Sequence, residues 1–132
     1  MRGVVAVLVA MVLGFLIITG IEWVSHGIYP PPTGIDLTRP DVLATLMLNA
    51  PVGALLFIAL AHFLAALAGN LTALAINHRK RLPAYIFSGL LIGGTAANLW
   101  MIPHPGWFMV VDLVGVMLAL FLVFRFVKAP SK

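Results

Sequence analysis

Residues 51–101 read PVGALLFIALAHFLAALAGNLTALAI NHRKRLP AYIFSGLLIGGTAANLWM, with the spaces marking two changes of character. Two apolar segments, 51–76 and 84–101, flank a short polar turn that carries three basic residues. Each segment is close to the roughly 20 residues that cross the hydrocarbon core of a bilayer. A turn this short joins antiparallel neighbours, and Pro83 suits the first turn of the second helix. The stretch therefore predicts a hairpin of two membrane-spanning helices.

Two further apolar segments lie outside the hairpin, 4–23 before it and 108–127 after it. The chain is 62% hydrophobic and 9% charged over 132 residues, which leaves too little polar surface for a soluble domain. The segment 4–23 is longer than the apolar core of a signal peptide, so we interpret it as a retained helix. We predict an all-α membrane protein with a single domain, 1–132, folded as an antiparallel bundle of four transmembrane helices.

Charged residues are sorted to opposite sides of this predicted bundle. Seven of the eight Lys and Arg residues fall on one side and all four Asp and Glu on the other, with Arg39 as the exception. Because Lys and Arg concentrate in cytoplasmic loops, the sorting predicts that both termini are cytoplasmic. The basic residues are divided among short segments at membrane boundaries, so we expect no nucleic-acid partner. The seven are Arg2, Arg79, Lys80, Arg81, Arg125, Lys128 and Lys132.

The only long connection joins the first two spans on the predicted outer side. Residues 29–34, YPPPTG, cannot be helical and predict a stiff, extended, proline-rich outer loop. Thr38 is then predicted as the N-cap of a short helix over about 39–49, with Pro40 in its first turn. We expect this helix to lie near the outer interface or to enter the second span through a kink at Pro51.

Small residues recur at every fourth position in three of the predicted spans. Such ridges let helix backbones approach closely inside a membrane, within one chain or between copies. We therefore expect the protein to associate with itself or with another membrane protein. The ridges are Ala6, Ala10 and Gly14; Ala61, Ala65, Gly69 and Ala73; and Gly89, Gly93 and Ala97.

Six polar residues lie within or beside the spans, and all except His104, which is in the predicted outer loop, are predicted to face the bundle interior because polar groups avoid hydrocarbon. Counting from the tryptophans near the outer boundary places five of them at one level near the outer face. His62 alone is expected near the midplane. The six residues are Glu22, His26, His62, Asn98, His104 and Asp112.

The sequence leaves four interpretations of this cluster open. The first is helix-end hydrogen bonding, with a Glu22–His26 pair that fixes the proline-rich loop. The second is a proton- or ion-coupled transport site in which His62 is the deeper relay. A third is a site for a divalent metal such as zinc, and a fourth is a metal-dependent membrane hydrolase or transferase. The candidate metal ligands are Glu22, His26, His104 and Asp112.

No catalytic residue is predicted. The chain has no cysteine, and no serine or lysine stands out as an activated nucleophile. The sequence therefore favours a non-enzymatic role.

Four short motifs together resemble those of a set of small uncharacterised bacterial four-pass inner-membrane proteins. The resemblance implies a bacterial inner-membrane location and implies no particular activity. Together with the composition, it favours a multi-pass protein with a structural or accessory role and lipid as its main surroundings. The motifs are EWVSH at 22–26, YPPP at 29–32, PVGALLF at 51–57 and PHPGWF at 103–108.

Overall fold

The computed structural model of the protein describes residues 1–127, so Lys128 and Lys132 of the basic group lie outside the described residues. All regular secondary structure in that range is helical. Four of the five helices are long and apolar enough to cross a membrane, which confirms the four-span all-α fold. The helices are α1 (Arg2–Ile28), α2 (Pro40–Leu48), α3 (Val52–Ile76), α4 (Leu82–Met101) and α5 (Gly106–Phe126).

Helix α1 is longer than the predicted span 4–23. Its 27 residues correspond to about 40 Å, and the last turns carry Glu22 and His26 while still helical. The start of α4 at Leu82 puts Pro83 in its first turn, as predicted.

The short helix predicted between the first two spans is present as α2, but its N-cap differs from the prediction. Thr38 is not the N-cap; Arg39 occupies that position, and Pro40 begins the helix. The Thr38 hydroxyl instead donates a hydrogen bond to the carboxylate of Asp36, two residues earlier. Pro51 is the N-cap of α3, so α2 and α3 are separate helices joined by a break.

Helix α3 lies at the centre of the bundle. It packs against α1, α4 and α5, and α4 also touches α1 and α5, whereas α1 and α5 do not approach each other over residues 1–127. The antiparallel order puts the end of α1, the helix α2, the start of α3 and the α4–α5 connection at one end, here named the loop end. The opposite end, with the N-terminus, the α3–α4 turn and the end of α5, is named the basic end.

Two of the three small-residue ridges are used inside the chain. Ala6, Ala10 and Gly14 are buried on α1, and the ridge of α3 is buried as well. The ring of Phe87 on α4 occupies the space left by missing side chains, since a Cβ added to Gly69 would lie 2.3 Å from its Cζ atom. The ridge of α4 behaves differently, because Gly89, Gly93 and Ala97 are all exposed.

Candidate functional site

A cavity of about 670 Å³ opens among the elements of the loop end. Its walls come from the last turns of α1 and α4, the first turns of α3, the helix α2 and the proline-rich segment 29–32. Ligand pockets in proteins commonly enclose 300–1,000 Å³, with mostly apolar walls and a few placed polar groups. This cavity has that character, and its apolar wall includes Leu43, Leu46, Leu55 and Ile58.

Five of the six polar residues singled out from the sequence line this one cavity. The sixth, Asp112, is fully buried and lies behind His62. The predicted difference in depth between His62 and Asp112 is therefore wrong, because the two side chains share a hydrogen bond. The five lining residues are Glu22, His26, His62, Asn98 and His104.

His62 and Asp112 form a buried pair between α3 and α5. The Nδ1 atom of His62 lies 2.8 Å from Oδ1 and 3.0 Å from Oδ2 of Asp112. Asp112 is 0% exposed and His62 is 9% exposed, and Asp112 has no other hydrogen-bond partner among residues 1–127. A lone carboxylate is costly to bury, so the imidazole is what makes this position tolerable in an apolar interior.

The other ring nitrogen of His62 faces the cavity. No fully buried side-chain nitrogen or oxygen within residues 1–127 lacks a hydrogen-bond partner. The Nε2 atom of His62 makes no hydrogen bond in that range, so it is not sealed in, and its side chain lines the cavity. His62 thus connects a buried carboxylate, through Nδ1, with the cavity, through Nε2.

The ring of His104 is also oriented by a hydrogen bond at its Nδ1 atom. Its Nδ1–H donates a hydrogen bond to the backbone carbonyl of Ile102, and its ring stacks on Phe108 with 5.1 Å between ring centroids. With Nδ1 held in this way, Nε2 is the atom available to the cavity that His104 lines. The cavity therefore receives two imidazoles whose orientations are fixed from behind.

Glu22 and His26 line the cavity without pairing with each other. The ion pairs among the described residues are Arg39–Asp41 and His62–Asp112, so the predicted Glu22–His26 pair is not formed. Glu22 has no hydrogen-bond partner in the same range.

Nor do the candidate metal ligands meet. Within residues 1–127 no group of three or more His, Asp or Glu side chains is close enough to hold a metal ion. The Asp112 carboxylate faces His62 instead of the other three candidates. Asn98 adds an amide to the wall of the cavity.

The proline-rich segment is held against α3 by Tyr29. Its ring lies so close to Gly53 that a Cβ there would be 2.5 Å from the Tyr29 Cζ atom, and it meets Phe57 edge-on at 6.4 Å. Glycine at position 53 is what permits this approach. Tyr29 and the buried Ser25 both line the cavity, and neither belongs to the six polar residues predicted from the sequence.

Toward the basic end the cavity is closed. Beyond the His62–Asp112 pair, α3, α4 and α5 pack into an apolar cluster that includes Ala66, Val116 and Ala119. This packing separates the cavity from the basic end of the bundle.

Comparisons with protein-family models, with curated proteins and with solved structures gave no match. The resemblance to small bacterial four-pass proteins stays a prediction.

Proposed function

We propose that this protein is an inner-membrane protein of bacteria that binds a small amphiphilic molecule in the loop-end cavity and links binding to protonation of the His62–Asp112 pair. Of the functions considered from the sequence, this is closest to the proton-coupled transport module. One observation carries the proposal. A single imidazole belongs both to the cavity wall and to a buried acid–base pair.

The walls favour an amphiphile. Leu43, Leu46 and Ile58 present hydrocarbon, while Glu22, Asn98 and the imidazoles supply hydrogen-bonding groups. A fully polar solute would leave the apolar wall wet, and a pure hydrocarbon would strand the polar groups without partners.

The buried pair favours proton linkage. In an apolar interior the arrangement with no net charge on the pair is preferred, and this holds whether the shared proton sits on Asp112 or on His62. Either way Nε2 of His62 carries a hydrogen and donates to the cavity. Loss of one proton from the pair turns Nε2 from a hydrogen-bond donor into an acceptor. A ligand that favours the acceptor form therefore changes the number of protons bound to the site.

Other ionisable side chains line the same cavity. They are Glu22, His26, Tyr29 and His104, all on the cavity wall. His62 differs from them in having a carboxylate behind it, so its substitution should have the largest effect on proton exchange.

Charge sorting supports an outward-facing cavity. The basic end carries Arg2, the basic residues of the α3–α4 turn and Arg125, which by the positive-inside rule belong in the cytoplasm. The loop end would then face the periplasm, and the cavity would take its ligand from that side or from the outer leaflet.

Binding of N-phenyl-1-naphthylamine, a neutral amphiphilic fluorophore, to the protein in lipid nanodiscs tests the proposal. We expect saturable binding above that of empty discs. It should be lost in Ala54→Trp, which fills the cavity, and kept in Leu56→Trp, whose side chain points out of the bundle. A pH measurement in weakly buffered solution should show that protons are taken up or released when the probe binds. His62→Gln should remove this uptake or release. Binding that is unchanged in Ala54→Trp, or proton exchange that is unchanged in His62→Gln, would overturn the proposed function.

The exposed ridge of α4 favours a second role, self-association, which suits an accessory or structural protein. We propose that two copies pair along Gly89, Gly93 and Ala97, where nothing lies within 4 Å of either glycine's added Cβ. Native mass spectrometry should show dimers that Gly93→Ile dissociates and Gly94→Ile leaves intact. Monomers in the unsubstituted protein would end this proposal.

A further inference from the structure

The charge inside the cavity is one-sided. Among the lining residues within 1–127, Glu22 is the only acidic side chain, and that part of the lining contains no lysine or arginine. Arg39, which directly precedes α2, lies outside the lining and is paired with Asp41 at 2.6 Å. No cation of the described chain therefore neutralises the Glu22 carboxylate.

The surroundings make that carboxylate a poor match for many ligands. Glu22 is only partly exposed, at the end of a membrane-spanning helix, so a nearby charge is screened less than on a fully wet surface. An anionic headgroup would face Glu22 as a like charge with no arginine or lysine to hold it. A neutral ligand would leave Glu22 without a counter-charge.

Aromatic rings add to the same preference. Tyr29 lines the cavity beside the end of α1, and the imidazoles of His26 and His104 line it too. A carboxylate together with aromatic faces is the combination by which proteins hold organic cations whose charge is attached to an apolar body.

We infer that the cavity ligand is a lipophilic cation, whose positive centre lies at Glu22 and whose apolar part contacts Leu43, Leu46 and Ile58. This inference rests on the proposed binding function and narrows it to one class of ligand. In it Glu22 holds the cation, while the net-neutral His62–Asp112 pair forms the floor and contributes no opposing charge.

Two probes of the same shape and opposite charge test the inference. Tetraphenylphosphonium and tetraphenylborate are compared by calorimetric titration of the protein in phosphatidylcholine nanodiscs at pH 8, above the ordinary imidazole range. We expect saturable binding of the phosphonium, one probe per chain, and no saturable binding of the borate. Glu22→Gln should weaken phosphonium binding about tenfold, the size of one charge pair in a half-exposed position.

The controls separate loss of charge from loss of fold. Glu22→Asp keeps the charge and should keep phosphonium binding, and Asp36→Asn removes an exposed acid outside the cavity and should change nothing. Retained binding of N-phenyl-1-naphthylamine by Glu22→Gln shows that the cavity is intact.

Each result decides between distinct conclusions. Borate binding as tight as that of phosphonium, or phosphonium binding unchanged in Glu22→Gln, would overturn the cation inference while neutral-probe binding leaves the proposed function standing. If no probe of any charge binds saturably, the proposed function fails and the inference fails with it.

Discussion

Replacing His62 with leucine should destabilise the protein strongly, because it leaves Asp112 buried without a partner. The carboxylate is 0% exposed, and its hydrogen bonds within residues 1–127 go to His62 alone, at 2.8 and 3.0 Å. Removing one member of a buried pair typically costs about 3–5 kcal/mol. Removing Asp112 instead leaves the Nδ1 atom of His62 without its hydrogen-bond partner, at a cost of about 1–3 kcal/mol.

The double variant His62→Leu/Asp112→Ala should be far less destabilised than the two single costs together. Replacing a whole buried pair with apolar residues is often close to neutral, apart from the space left by the smaller side chain. We therefore expect a coupling free energy of at least about 3 kcal/mol from the cycle of His62→Leu and Asp112→Ala.

Denaturation in mixed micelles, followed by far-ultraviolet circular dichroism, measures the four free energies of unfolding. The exposed pair Arg39–Asp41 provides a matched control. Its atoms are as close as 2.6 Å, but its side chains are 61% and 66% exposed, so its coupling should stay below about 1 kcal/mol. A His62–Asp112 coupling as small as that of the control would refute the claim that the pair is buried and mutually dependent.

Two other outcomes follow from local geometry. Gly69→Ala should lower the free energy of unfolding by about 1–3 kcal/mol, because the added Cβ would overlap the buried ring of Phe87. Gly94→Ala is the control, because nothing lies within 4 Å of its added Cβ, and the same denaturation assay should show almost no change. The hydroxyl and backbone N–H of Thr38 donate hydrogen bonds to Asp36 and hold the pKa of its carboxyl below the ordinary 3.8. These hydrogen bonds therefore stabilise the loop above pH 3.8, and their contribution is lost as the pH falls through the lowered pKa. Carboxyl ¹³C chemical shifts should report the titration of Asp36, and its midpoint should rise in Thr38→Ala. An unchanged midpoint would contradict the hydrogen bond between Thr38 and Asp36.

The spans could be predicted from the sequence because bilayer thickness sets their length and because their apolar composition indicates that they are surrounded by lipid. The turn with three basic residues and the proline-rich loop then leave little choice of topology. Helix ends were harder. Thr38 had the side chain of an N-cap, yet its hydroxyl is taken up by Asp36, and the proline that follows Arg39 fixes where α2 begins.

The buried pair escaped prediction because depth was counted from the loop end, where the helices start at different heights. Measured from the basic end, His62 and Asp112 each lie fourteen positions before the last residue of their helix, Ile76 and Phe126. That distance is about 21 Å in both cases, so the two side chains are level. Depth measured from the basic end therefore pairs them, whereas depth measured from the loop end does not. Which faces of α3 and α5 meet depends on packing and has no comparable signal.

Side-specific cysteine labelling shows directly whether the cavity faces outward. The chain has no native cysteine, so single substitutions report cleanly. A membrane-impermeant thiol reagent should label Ala54→Cys from the periplasmic side only and Arg79→Cys from the cytoplasmic side only. Leu56→Cys, which faces lipid on the same helix as Ala54, should not react. If Ala54→Cys is unreactive, or reacts from the same side as Arg79→Cys, the cavity does not open on the periplasmic side.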